Sequence, residues 1–115
     1  MKPDLAPAPR QQRQYESLRQ KLSQLGYISQ GSVQDRTHRQ GGGAGYQWTR
    51  KVAGKTVTVA LTAEQFARLK EAVENYRILR RQLQQMEHLS RQMIFQVAPH
   101  DARRKRLSRK VLGIN

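Results

Sequence analysis

Residues 46–66, YQWTRKVAGKTVTVALTAEQF, decide the fold. Two segments of alternating character, YQWTRKV and KTVTVAL, flank Ala53-Gly54, a pair suited to a tight turn, so the stretch predicts an antiparallel β-hairpin. Successive side chains on a strand point to opposite faces. Val57, Val59 and Leu61 therefore share one face and Thr56, Thr58 and Ala60 the other. In the partner strand Tyr46, Trp48, Arg50 and Val52 alternate against Gln47, Thr49 and Lys51. Parity sends Tyr46 and Trp48 toward a core beneath the long helix. Arg50 breaks the pattern: its guanidinium either marks an exposed end of the sheet or reaches past the core to a phosphate. Thr62-Ala63-Glu64-Gln65 then has the form of a capping box, with Thr62 at the N-cap and Gln65 at the third helical position.

Beyond that cap Phe66, Leu69, Val73, Tyr76, Leu79, Leu83, Met86, Leu89 and Met93 recur at steps of three or four, with no proline or glycine before Pro99. One helix from Ala63 to Gln96 is expected, roughly 50 Å long at 1.5 Å per residue. A small head covers only its first turns. The remaining stripe, Leu79, Leu83, Met86, Leu89 and Met93, must pair with the first helix, a second copy or a larger protein. Steps of three are too frequent for a long regular coiled coil.

Upstream, QQRQYESLRQKLSQLG places Tyr15, Leu18, Leu22 and Leu25 on one stripe, predicting a helix over 11–25 with Gly26 as its C′ residue. Residues 1–10 hold three of the four prolines and read as a disordered lead. YISQGSVQDR reads as a weak, glycine-interrupted strand, and Gly41, Gly42, Gly43 and Gly45 as a flexible connection. Pro99 and Gly113 bracket a further short helix within a basic extension, residues 98–115. The fold class expected is α+β: a head over 11–97 with an N-terminal helix, a hairpin or three-stranded antiparallel sheet and a long protruding helix, then the extension.

Charge points to the partner. The chain has 115 residues, with Lys+Arg 22 against Asp+Glu 8 and a formal net charge of +14. Such an excess opposes compaction through self-repulsion, which a polyanion relieves, and solubility alone needs far less. Nucleic acid leads, well ahead of an anionic membrane surface. Cysteine is absent, which excludes disulfides, thiolate metal sites and cysteine nucleophiles. The opening MKPDLAPAPR lacks the apolar core of a secretory signal, and no stretch approaches the ~20 apolar residues of a membrane span. A cytoplasmic protein with no membrane partner is the expectation.

No catalytic constellation is legible. Glu64, Glu71 and Glu74 lie on one predicted helix, where pairing with Arg68, Lys70 and Arg77 is their simplest role. His38, His88 and His100 stand apart without a second ligand at metal spacing, so no metal and no cofactor is expected. The GGGAG run lacks the strand-to-helix frame and following lysine of a phosphate cradle. The hairpin carries the sharper signal. Gln47, Thr49, Lys51, Thr56 and Thr58 form a face of short hydrogen-bonding side chains, joined by the cations Arg50 and Lys55. A two-stranded ribbon of that kind fits a DNA major groove. Arg103, Arg104, Lys105, Arg106, Arg109 and Lys110 would supply sequence-independent attraction to phosphates.

At YISQGSV…YQWTRKVAGKTVTVALTAEQF…NYR, about residues 26–80, the chain resembles an uncharacterised family of short bacterial proteins. Their pattern is GSV, a glycine-rich break, Y-x-W-T-R-K-V-x-G-K-T-V-T and a helix carrying N-Y-R. Members often carry cysteines between GSV and the aromatic strand, which implies a small zinc site. Here that stretch is QDRTHRQGGGAG, so the metal role does not carry over. The resemblance implies a bacterial origin and a mobile-element neighbourhood, and no established activity. The order of hairpin then helix also resembles the arm-binding sheet domains of tyrosine recombinases, as an analogy of fold. The function expected is that of a small, basic, non-enzymatic DNA- or RNA-binding accessory protein within a bacterial transposon, phage or RNA-guided assembly. The rival is a coiled-coil adaptor whose long helix docks a larger protein or a second copy.

Overall fold

The computed structural model describes residues 8–38, 45–98 and 107–115. Along the chain run α1 (Pro9–Ser23), β1 (Ser32–Asp35), β2 (Tyr46–Val52), β3 (Lys55–Leu61), α2 (Ala63–Val97) and α3 (Arg109–Leu112). The architecture is α+β, with an N-terminal helix, a three-stranded antiparallel sheet and a long helix, as the alternation and the helical period predict. The described residues fall into two compact units, one spanning 25–79 and the other made of α1 with residue 80 onward.

In the first unit β2 is the central strand, in the order β1-β2-β3. Tyr46 pairs with Leu61, Trp48 with Val59, Arg50 with Val57 and Val52 with Lys55, while β1 sets Val33 opposite Trp48. Ala53 (φ 50°) and Gly54 (φ 78°) both have positive φ. That is the signature of a two-residue type I′ turn, whose twist matches that of the flanking strands. The capping box forms as expected: the Gln65 backbone N–H donates to Thr62 Oγ1 at 3.1 Å, and the Thr62 N–H donates to Gln65 Oε1 at 2.9 Å. Tyr46 lies against Phe66, with ring centroids 4.6 Å apart. Ala72 and Val73 are buried, and Val73, 4% exposed, contributes roughly 1.5–3 kcal/mol by leaving water.

Residues 27–31 depart from the strand expected of YISQG; only Ser32–Asp35 pairs in the sheet. The Ser29 N–H donates instead to the Ala72 carbonyl of α2 at 3.1 Å. Asn75 Nδ2 donates to the Tyr27 carbonyl at 3.0 Å, and Gln30 Nε2 donates to Tyr76 Oη at 3.1 Å. Trp48 Nε1 donates to the Gln30 carbonyl at 3.0 Å, which ties the segment to the sheet as well. The segment is a strap whose hydrogen bonds run to α2 and to the Trp48 side chain in place of a strand ladder.

In the second unit α1 begins at Pro9, inside the residues read as a lead and ahead of the expected residue 11. Proline suits this position because the first helical N–H has no intrahelical partner to lose. The helix stops at Ser23 rather than 25, where the Gln24 N–H closes a tighter turn on Lys21 O at 3.2 Å. Gly26 is therefore not the C′ residue, and it is not among the glycines with positive φ. Gln11 Nε2 reaches Gln92 Oε1 at 3.5 Å, so the start of α1 lies beside the last turns of α2. Leu18 is the buried anchor of α1 at 9% exposure. α3 is capped by Ser108, whose Oγ accepts the Val111 N–H, and is closed by Gly113 at φ 71°, as expected for its end. Residues 113–115 return to α2: Arg91 Nη1 donates to the Gly113 carbonyl at 3.5 Å, and His88 Nε2 lies 3.1 Å from the Asn115 carbonyl. Among the described residues no helix is long and apolar enough to cross a membrane.

Candidate nucleic-acid interface

The register fixes which side chains share the polar face of the sheet. Thr49 pairs with Thr58 and Lys51 with Thr56, and β1 brings Ser32 opposite Thr49 and Gln34 opposite Gln47. The face thus carries a row of hydroxyls, Ser32–Thr49–Thr58, running across three strands about 4.8 Å apart. A second row holds the amides of Gln34 and Gln47, completed by Ala60. Lys51 Nζ donates to Thr56 Oγ1 at 2.7 Å, which holds its stem across the hairpin. Lys51, Thr56, Thr58 and Ala60 are exposed, and Ser32, Gln47 and Thr49 are half-buried. Ser32 and Gln34 belong to this surface although the sequence reading placed none of it on β1. The parity of Ser-Val-Gln-Asp, with Val33 inward beside Trp48, is the signal that marks them.

The opposite face explains Arg50. Its guanidinium carbon lies 4.6 Å from the centre of the Trp48 ring, a cation–π contact. Arg50 breaks the apolar alternation because its charge rests on the indole while its end stays exposed. Lys55, at the start of β3 and opposite Val52, is exposed as well. Arg50, Lys51 and Lys55 therefore gather near the hairpin turn from both faces, with Val52 44% exposed between them.

Asp35 closes β1. It accepts hydrogen bonds on Oδ1 from Thr37 Oγ1 at 2.6 Å and from the Thr37 backbone N–H at 3.0 Å. The Thr37 hydroxyl first, and then its N–H, hold the carboxyl below the usual aspartate range, against desolvation and with the smallest help from His38 and Lys70. Other carboxylates act as expected of helix faces: Glu64 meets Arg68 at 3.3 Å and Glu74 meets Arg77 at 3.7 Å. Both pairs are exposed and worth ~0.3–0.5 kcal/mol. Among the described residues no three His, Asp or Glu side chains converge on one point.

Of the six cations expected in the basic extension, Arg109 and Lys110 lie in α3 and are exposed, while Arg103, Arg104, Lys105 and Arg106 lie outside the described residues. So do residues 41–44 of the glycine-rich connection. On α2, the second-unit stripe meets α1. Tyr15 shares one groove with Leu83 and Met86 and another with Met93, and Leu18 shares a third with Leu89. Leu83 remains 42% and Ile94 55% exposed. The helix thus uses part of its apolar stripe inside its own chain. No family model, curated protein or solved structure matches this chain.

Proposed function

We propose that this is a small nucleic-acid-binding protein that acts without catalysis, presenting the polar face of its sheet to the polynucleotide. The observation that carries the reading is the ordered face itself. A hydroxyl row, Ser32–Thr49–Thr58, stands beside a lysine held across the hairpin by Thr56, on a chain of net charge +14. Side chains of this type hydrogen-bond to base edges, and a β-ribbon enters the major groove of B-DNA. The charge supplies the sequence-independent share of the affinity, so binding falls as salt rises. Accessory service in a larger assembly suits a chain that offers such a face and, among its described residues, no cluster of His, Asp or Glu that could hold a metal.

The test replaces Thr49, Lys51 and Thr58 together by Ala. All three project away from Val57, Val59 and Leu61, so the thermal midpoint should move by no more than a few degrees while affinity for a mixed-sequence duplex falls. Loss of the Lys51 contact should lower the slope of log K against log salt by about one, and loss of the threonines should relax preference between sequences at constant salt. Normal binding by this variant, with loss of binding in a folded Trp48→Ala protein, would move the interface to the aromatic face that carries Arg50.

A further inference from the structure

A second surface holds more charge than the sheet. Between α1 and the second part of α2 lies a groove of about 810 Å³, into which α1 sets Arg10, Arg13 and Lys21 and α2 sets Arg81. Its neutral polar lining includes Ser17 and the amides of Gln14, Gln84 and Gln85, and its apolar lining is Leu18 and Leu89. No carboxylate is among its described lining residues. Several described acids pair with other cations: Glu16 with Arg19 at 3.1 Å, Glu74 with Arg77 at 3.7 Å and Glu87 with Arg91 at 3.5 Å. Arg10, Arg13 and Lys21 form no ion pair among the described residues.

Stability of the helix does not account for this placement. Arg10 stands in the first turn of α1, where the helix dipole favours carboxylates and disfavours cations by ~0.3–1 kcal/mol. Arg10 and Arg13 are also like charges three residues apart, a further small cost. The spacing does suit a ligand. Residues 10, 13, 17 and 21 follow the helical period along one face, and Arg10 and Lys21 are separated by about 16 Å of axis. At about 3.4 Å of rise per nucleotide that length matches roughly five nucleotides of one strand. Three of the four cations are arginines, whose planar forks suit phosphate oxygens. No Phe, Tyr or Trp is among the described lining residues, and His88 is the single ring there, so the lining favours backbone contacts over base stacking.

We infer that this groove binds the phosphodiester backbone of a nucleic acid, strand-wise and without regard to sequence. The inference rests on the nucleic-acid reading above and adds a second contact surface, on a different unit from the sheet. Replacing Arg10, Arg13 and Lys21 together by Gln tests it, since Gln keeps comparable helix propensity and far-UV circular dichroism should be unchanged. Binding is measured against salt for a mixed-sequence duplex and a single strand. The slope of log K against log salt should fall by about three on the duplex or about two on the single strand, equally for all sequences. A control, Arg19→Gln with Arg68→Gln and Arg77→Gln, removes the same formal charge from paired exposed sites and should leave the slope nearly intact. An equal drop in the control, or an unaltered slope in the groove variant while the sheet variant loses binding, would overturn the groove and leave the sheet reading standing. A wild-type protein that binds neither nucleic acid at low salt would overturn both.

Discussion

On the proposed reading, the polar face of the sheet and the groove beside α1 would serve different parts of one task. The polar face of the sheet offers hydroxyls and amides at fixed strand spacing, with Lys51 the single cation of that face. The groove offers four cations and no described carboxylate. Hydrogen-bonding groups at a defined pitch discriminate between partners but attract weakly from a distance, whereas clustered guanidinium groups attract any phosphate backbone and discriminate little. The net charge of +14 therefore says little about where a sequence would be read. On that reading, preference would belong to the less charged of the two surfaces, and most of the salt dependence to the other.

The largest effect expected on that division comes from Gly31→Ala. Gly31 has φ 111°, and a Cβ there would lie 2.5 Å from Trp48 Nε1 and 2.6 Å from the Thr49 carbonyl oxygen. Neither atom is the free end of a flexible chain, since Trp48 Nε1 is bonded to the Gln30 carbonyl and Thr49 lies in the central strand. Backbone strain and the clash together should cost about 3 kcal/mol, a fall in thermal midpoint on the order of 10 °C. Because Thr49 carries the hydroxyl row, sequence preference should weaken more than the salt slope does. A midpoint equal to wild type would show that the strap at 27–31 does not seat on Trp48.

How far the two surfaces are legible in the sequence follows from the range of the interactions that make them. The hairpin is local: parity, Ala53-Gly54 and the Thr62/Gln65 box lie within one short stretch, and each behaves as its chemistry predicts. Residues 27–31 look like a strand because Tyr27 and Ile28 favour one, yet the partner of Ser29 is Ala72, far along the chain. The groove is hidden for the same reason. Arg10, Arg13 and Lys21 read as a solvated helix face until Arg81 is brought opposite them, whereas four of the tail cations are conspicuous because they are consecutive in sequence. Arg50 lies between these cases: parity identifies it as an exception, and the contact with Trp48 gives the cause. Arg50→Ala should cost ~0.5–1 kcal/mol of stability, read as a shift in the urea midpoint. Unchanged stability with reduced affinity would mean that Arg50 serves a phosphate and not the indole.

The smallest effect concerns acid. Asp35 ends β1, and Thr37 holds its carboxyl below the ordinary aspartate value of 3.8 through the hydroxyl at 2.6 Å and the backbone N–H at 3.0 Å. A carboxylate whose folded pKa is depressed stabilises the fold fully above its unfolded value, and that contribution disappears as pH falls through the lower, folded value. Asp35→Asn removes the charge at every pH. The gap in thermal midpoint between wild type and Asp35→Asn should therefore be constant above about pH 5, narrow from just above 3.8 downward, and close in stronger acid. Thr37→Val should reproduce most of the change, since it deletes the shorter hydrogen bond and leaves the backbone one. The groove, with no carboxylate among its described lining residues, has no matching loss in this window. A gap between wild type and Asp35→Asn that stays constant through the acid range would show that Asp35 is solvated and not held by Thr37.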